Sequence, residues 1–68
     1  MGNISTKLGQ NMKRIRTKKK ISQGDIARVL KVDSGYISTI ENGKKNPTLA
    51  TIQNLADALG ISADELLK

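Results

Sequence analysis

Nine of the first 31 residues are basic (Lys7, Lys13, Arg14, Arg16, Lys18, Lys19, Lys20, Arg28 and Lys31), and Asp25 is the one acid among them. From Asn46 onward the balance reverses, with three acids against Lys68. A division of this kind suits the binding of a polyanion, which would be drawn to the basic half and held in one orientation. Charge alone leaves three readings open: nucleic acid, an anionic membrane surface, or a lysine-rich face that only solvates the molecule. Covalent and metal chemistry lack their usual parts. The 68 residues contain no cysteine and no histidine, which removes disulfides, the standard zinc ligands, and thiol or imidazole catalysis. No glycine-rich phosphate loop and no convincing pair of inward carboxylates is present either. The sequence points away from an enzyme and calls for no cofactor, no metal and no small-molecule ligand.

A chain of this length forms one domain, spanning residues 1–68, and buries only about 60% of the surface its unfolded form exposes. With no disulfide or metal to staple it, its stability must come from a tight apolar core, with help from a partner subunit. The amino-terminal MGNISTKLGQ has no signal-like apolar run, and nothing approaches the roughly 18 apolar residues of a membrane span. A cytoplasmic, nucleoid-associated protein with no membrane partner is the expectation. Gly2 after Met1, with Ser5, matches a lipidation pattern only nominally and is set aside.

The side chains that could meet a polyanion must be positioned by helices. Leu8, Met12 and Ile15 recur at helical spacing, which predicts a first helix over about Ser5 to Lys19 with its lysines outward. Ser22 caps a second helix, and Asp25, three residues on, makes a short capping box. Ile26, Ala27 and Leu30 form its buried stripe, and Val32 is the apolar residue of the following turn. Asp33 is a good N-cap for a third helix running to about Glu41, with Ile37 and Ile40 inward and Asn42-Gly43 closing it. Lys44-Lys45-Asn46-Pro47 reads as a basic loop. Thr48 caps a fourth helix that directs Leu49, Ile52, Leu55, Ala56 and Leu59 to the core and stops at Gly60. Ser62-Ala63-Asp64-Glu65 has the form of a complete capping box for a short last helix whose Leu66 and Leu67 pack back. The expected fold is all-α, a compact five-helix domain.

Within it, two short helices, about Ser22 to Leu30 and Asp33 to Glu41, flank a turn of two or three residues, which is a helix-turn-helix. In such a pair the second helix enters the major groove of DNA amino end first. A groove about 12 Å wide admits a helix, and the free N–H groups of a helix amino terminus suit phosphate.

The run from Ile21 to Pro47, ISQGDIARVLKVDSGYISTIENGKKNP, resembles the lambda-repressor-like (Cro-type) helix-turn-helix family. The carriers of the resemblance are Gln23, Ala27, Ile37-Ser38, Glu41, Gly43 and Pro47, and the following LADALGIS segment extends it over nearly the whole chain. Small phage and plasmid repressors and restriction-modification controllers share this form. The resemblance implies base reading from Ser34, Gly35, Ser38 and Thr39, near the start of the third helix. It implies a phosphate contact by Gln23, which also braces the reading helix; the alternative for Gln23 is a merely exposed helix former. Tyr36 falls nearer the sugar-phosphate backbone, or else packs over the turn. Asn42, Lys44, Lys45 and Asn46 are candidates for phosphate contact, which positions a protein without carrying sequence information, although the lysines can equally be solvated loop charges. Asp33 completes the set of backbone-contact positions. Arg16, on the core side of the first helix, and Glu41, ending the third, correspond to a partly buried structural ion pair, which takes Glu41 out of base reading.

The base-reading set is small. Serine and threonine lack the bidentate discrimination of Arg on guanine or Gln on adenine, and Gly35 brings no side chain. Close backbone approach with readout of DNA shape and direct readout by Lys44 or Lys45 both remain open. Lys31 departs from the family pattern, which has glycine there for a positive φ. Either the turn accepts about 1 kcal/mol of strain or its geometry differs; the side chain would then add a phosphate contact. By fold analogy the protein binds double-stranded operator DNA as a homodimer over two inverted half-sites about 34 Å apart. Ile61, Ala63, Leu66 and Leu67 are the interface candidates, though the leucines can be plain core. The rival reading is a protein-interaction module that presents Ile61, Leu66 and Leu67 to a partner and has no specific DNA target.

Overall fold

In the computed structural model, which describes residues 3–68, five helices follow one another in the order α1 (Ile4–Lys18), α2 (Gln23–Leu30), α3 (Ser34–Glu41), α4 (Leu49–Leu59) and α5 (Ala63–Leu67). No strand occurs among the described residues. Gly2, with its nominal lipidation pattern, lies outside them.

Each helix starts where a capping residue precedes an apolar stripe. Asn3 accepts from the Thr6 N–H and starts α1 one residue earlier than the apolar spacing suggests. Ser22 and Asp25 form a reciprocal capping box on α2, and Thr48 accepts from the Thr51 N–H at α4. Two expected caps are not made. Asp33 occupies the N-cap of α3 with extended backbone, yet its side chain accepts no capping bond. The Ser62–Glu65 capping box does not close either: Glu65 Oε1 instead takes the Lys68 ammonium at 3.0 Å, and only the Ser62 carbonyl receives the Glu65 N–H.

The first four helices end alike. At each carboxyl end one residue turns left-handed while the next N–H reaches back five residues to a helix carbonyl: Ile21 to Arg16, Val32 to Ala27, Lys44 to Thr39, Ile61 to Ala56. This is the Schellman arrangement. Gly43 and Gly60 serve it at φ 73° and 71°, as their type allows, but Lys20 and Lys31 serve it at φ 60°. Lys31 therefore adopts the left-handed conformation (ψ 44°) that glycine takes most easily.

The core is built from Leu8, Met12, Ile15, Ile26, Ala27, Ile37, Ile40, Ile52, Leu55, Ala56, Leu59 and Leu66. α1 packs on α3 and α5, α2 on α3 and α4, and α4 on α5. Three apolar residues depart from expectation. Leu49 is 82% exposed, because α4 is covered only from Ile52 onward and its apolar stripe begins a turn before its neighbours do. Leu67 is 38% exposed, while Leu66 beside it is wholly buried, so only Leu66 packs back fully. Leu30 lies half-buried at the edge of the core. The backbones of α1 and α3 approach closely at Gly9. A Cβ at Gly9 would fall within 2.6 Å of the Glu41 carbonyl oxygen and closer still to that of Ile40, so glycine is what lets these helices touch.

Candidate nucleic-acid interface

Burial of Ile26 and Ala27 on α2 and of Ile37 and Ile40 on α3 fixes the two helices against each other across Lys31-Val32-Asp33. The same packing turns the opposite face of α3 outward. Ser34 and Gly35 are exposed at its amino end, with Ser38 and Thr39 half-exposed one turn later. A side chain built at Gly35 would meet no protein atom within 4 Å. The Asp33 side chain does not cap α3 and its carbonyl takes the Tyr36 N–H, which leaves the N–H groups of Ser34 and Gly35 to an oxygen-rich ligand. Thr39 Oγ1 donates to the Gly35 carbonyl at 2.8 Å. Its proton is thus engaged, and it presents to the outside an acceptor lone pair and a methyl group.

Behind this face lies a buried polar centre. Arg16 Nε meets Glu41 Oε2 at 2.6 Å and Arg16 Nη2 meets Oε1 at 3.1 Å, a two-pronged pair. Their side chains are 14% and 2% exposed. Arg16 Nη1 also donates to the Ile21 carbonyl at 2.9 Å, and Gln23 Nε2 donates to Glu41 Oε1 at 2.9 Å. The carboxylate is therefore held by three donors from α1 and α2, while it belongs to the last residue of α3. The hydrogen bonds from Arg16 to Glu41 hold the guanidinium pKa above its ordinary value, against the opposing effect of burial. No buried side-chain polar atom among the described residues is left without a partner. Glu41 faces inward, its carboxylate 2% exposed and turned to these three donors, so it does not reach a base. Gln23 is half-buried and bonded, not a free helix former. Its second amide hydrogen remains for an outside acceptor.

The loop after α3 is pinned as well. Ser5 Oγ, buried at the start of α1, hydrogen-bonds Asn46 Oδ1, and Gly43 packs against Thr6 so closely that a Cβ there would stand 3.0 Å from the Thr6 Cα. Asn42, Lys44, Lys45 and Asn46 are exposed along this loop. Tyr36 packs half-buried against the core with Lys45 Nζ 5.5 Å from its ring centre, so Tyr36 and the basic loop share one surface. Sequence reasoning did not single out Ser5 or Gly9, which tie α1 to α3 and its loop. A small residue on the core side of α1 at helical spacing from Leu8 and Met12 was the available signal. Of the interface candidates, Ile61 and Ala63 are half-buried, Leu67 is exposed, and Leu66 has no accessible surface to offer a second protomer.

The fold and the outward amino end of α3 define a helix-turn-helix protein, and the comparisons agree. The chain matches the helix-turn-helix family over residues 12–66 and belongs to it, in its lambda-repressor-like form. It is a helix-turn-helix DNA-binding regulator of transcription. It is 36% identical over 67 residues to the control protein C.MunI of a Mycoplasma species, covering 97% of this chain and 90% of that one. The structure of the restriction-modification controller protein C.AhdI from Aeromonas hydrophila superposes with a TM-score of 0.85 at 37% identity, covering 91% of this chain and 94% of that one. The controller C.Esp1396I, solved as a tetramer in complex with its natural 35 base-pair operator, superposes at a TM-score of 0.82 and 28% identity over the full length of both chains. No helix among the described residues is long and apolar enough to cross a membrane, and none of their His, Cys, Asp and Glu residues cluster as metal ligands would.

Proposed function

We propose that the protein reads a specific double-stranded operator as a homodimer over an inverted repeat and acts in the cytoplasm as a repressor or autoregulator, without catalysis and without a small-molecule effector. The observation that carries this reading is the uncapped, exposed amino end of α3, held rigidly from behind by the Arg16–Glu41–Gln23 centre. In a major groove about 12 Å wide, Ser34, Gly35, Ser38 and Thr39 are the groups that face base edges. Gln23 donates its free amide hydrogen to phosphate. Lys44, Lys45, Asn42 and Tyr36 follow the backbone on the carboxyl side, with Asn46 supporting that loop through Ser5. Asp33, a carboxylate, can approach phosphate only across a bridging water. The open space at Gly35 favours close backbone approach, and with it readout of groove shape. Dimerisation through Leu67, Ile61 and Ala63, with Leu66 packed beneath them, sets the spacing of the half-sites. The names of the relatives support the regulatory reading, since C.MunI, C.AhdI and C.Esp1396I are all controllers and the last was solved on an operator.

Selection from a pool of randomised duplexes at physiological salt, followed by sequencing, tests this. Enrichment of an inverted repeat with half-sites about one helical turn apart is the expected result. Salt-sensitive binding without enrichment would reduce the protein to a non-specific DNA binder, and no binding at all would favour the protein-interaction module.

A further inference from the structure

Of the four basic residues of α1 without a role in the interface just described, Lys7, Lys13, Arg14 and Lys18, all but Lys13 share one face. Lys7, Arg14 and Lys18 are spaced by seven and four residues, which on a helix of 3.6 residues per turn sets them within about 40° of one line, spread over about 16 Å. All three are exposed. The salt bridges among the described residues are Arg16–Glu41, Arg28–Asp25 and Lys68–Glu65, so none of the three is neutralised by the chain. No acid occurs in α1. The helix also fixes where the stripe points. Ser5, Gly9 and Arg16, which touch α3 and its loop, lie about 180° around α1 from Lys7, Arg14 and Lys18. The stripe therefore faces away from the reading helix, across a molecule only 21 Å thick in its shorter dimensions.

We infer that the Lys7–Arg14–Lys18 stripe is a second, sequence-independent DNA site that holds the phosphates of another duplex segment while α3 occupies the operator, so that the protein bridges two stretches of DNA. This rests on the DNA-binding reading above. Charge balance selects the occupant. A second copy of the chain could offer only Asp33, Asp57 and Asp64, since its other acids are already paired, and those three are scattered over different elements. Duplex DNA presents a phosphate charge about every 1.7 Å of axis, which satisfies a linear stripe of cations without any special geometry. The two faces also act independently, because 21 Å exceeds the screening length of about 8 Å at physiological salt.

The test uses an immobilised operator-containing duplex, taken from the selection, loaded with protein and then offered a labelled duplex lacking the operator. The triple variant Lys7→Gln, Arg14→Gln, Lys18→Gln is compared with the wild type. Three phosphate contacts at about 0.9 counterions each amount to roughly 100-fold in affinity at 0.15 M salt relative to 1 M. The variant should therefore hold the operator as the wild type does, capture the second duplex about 100-fold more weakly, and show a salt slope for that capture lower by about 2.7. Unchanged operator affinity serves as the control for folding. Equal capture by both proteins, or no capture by the wild type, overturns the proposal. Equal loss on a minimal operator alone also overturns it, since the stripe would then belong to the reading site. An altered oligomeric state with unaltered capture would assign the stripe to a second copy and reject DNA. Failure to bind any duplex would instead sink the DNA-binding reading itself.

Discussion

Gly9 on α1 and Glu41 at the end of α3 approach so closely that a Cβ on Gly9 would stand 2.6 Å from the Glu41 carbonyl oxygen. The obstructing atoms are backbone, so neither helix can yield by turning a side chain. Gly9→Ala gains close to 1 kcal/mol of helix propensity but forces apart the helix pair that carries the reading surface. Overpacking of this kind typically costs about 1–3 kcal/mol, occasionally more. With backbone on both sides we expect a net loss of about 2 kcal/mol. Thermal unfolding checks this, as a domain of this size should lose roughly 8 °C or more.

The same contact brings Glu41 to the guanidinium of Arg16, with Glu41 only 2% exposed. Arg16→Met leaves a buried carboxylate with Gln23 as its remaining side-chain donor, and such a loss costs about 3–5 kcal/mol. The double variant Arg16→Met, Glu41→Leu removes the stranded charge and should recover a large part of that loss. Denaturant unfolding of the two singles and the double gives the coupling directly. Additive losses would mean that the pair contributes nothing as a pair.

Much of this arrangement was legible in the sequence. Five helices could be read because Leu8, Met12 and Ile15 mark the first, Ser22, Asp33, Thr48 and Ser62 stand at the starts of the other four, and Gly43 and Gly60 close two of them. The meeting of Arg16 with Glu41 followed from the family resemblance, not from spacing. What could not be read depended on tertiary geometry. Lys20 carries no signal of a left-handed residue, because a Schellman end is set by the carbonyls it closes and lysine merely tolerates it. Leu49 sits at good spacing from Ile52, and periodicity cannot say that no neighbouring helix reaches that first turn. The Ser62–Glu65 box failed because Lys68 lies within reach of the same carboxylate. The small size and spacing of Gly9 mark it as a core-side position, but how closely the α3 backbone approaches it is set by tertiary packing.

Lys20 and Lys31, both at φ 60°, mark two places where the fold tolerates strain of about 1 kcal/mol each. Lys31→Gly should raise stability by about 0.5–1 kcal/mol, partly offset by the greater freedom of glycine in the unfolded chain. Lys20→Gly should behave likewise, and the two effects should add, as they lie at different helix ends. The Lys31 variant also reports on DNA. With one phosphate contact removed, the salt slope of operator binding should fall by about one. A stabilised variant with an unchanged slope would leave Lys31 as a turn residue only.

At the start of α2, hydrogen bonds from Ser22, backbone first and side chain second, together with the nearby Arg28, hold the Asp25 carboxyl below its ordinary value of 3.8. A depressed folded pKa contributes stability above the unfolded value and loses it as pH falls through the folded one. Acidification below about pH 4 should therefore destabilise the wild type more steeply than Asp25→Asn. The variant should be the less stable protein at pH 7, and the gap should close in acid. Parallel curves of melting temperature against pH would remove the capping carboxylate as a source of acid sensitivity.

Gly35 offers the sharpest test of how the reading helix works. It lies in the first turn of α3, exposed, with nothing within 4 Å of a built side chain, so alanine creates no clash in the free protein. Helix propensity alone should make Gly35→Ala more stable by about 0.5–1 kcal/mol. If the backbone of α3 comes close enough to DNA to read groove shape, the added methyl occupies the space that approach needs. We expect operator affinity to fall by about tenfold, equivalent to roughly 1.4 kcal/mol, in a protein that melts higher than the wild type. That opposition of signs separates a loss of recognition from a loss of folding, which most interface substitutions cannot do. Binding titrations on the selected operator, run beside thermal melts, provide both readings. Unchanged affinity would move recognition away from the amino end of α3, to Ser38 and Thr39 one turn later or to the Lys44-Lys45 loop. Substitution of those lysines should then alter which bases are preferred and not only how tightly DNA is held.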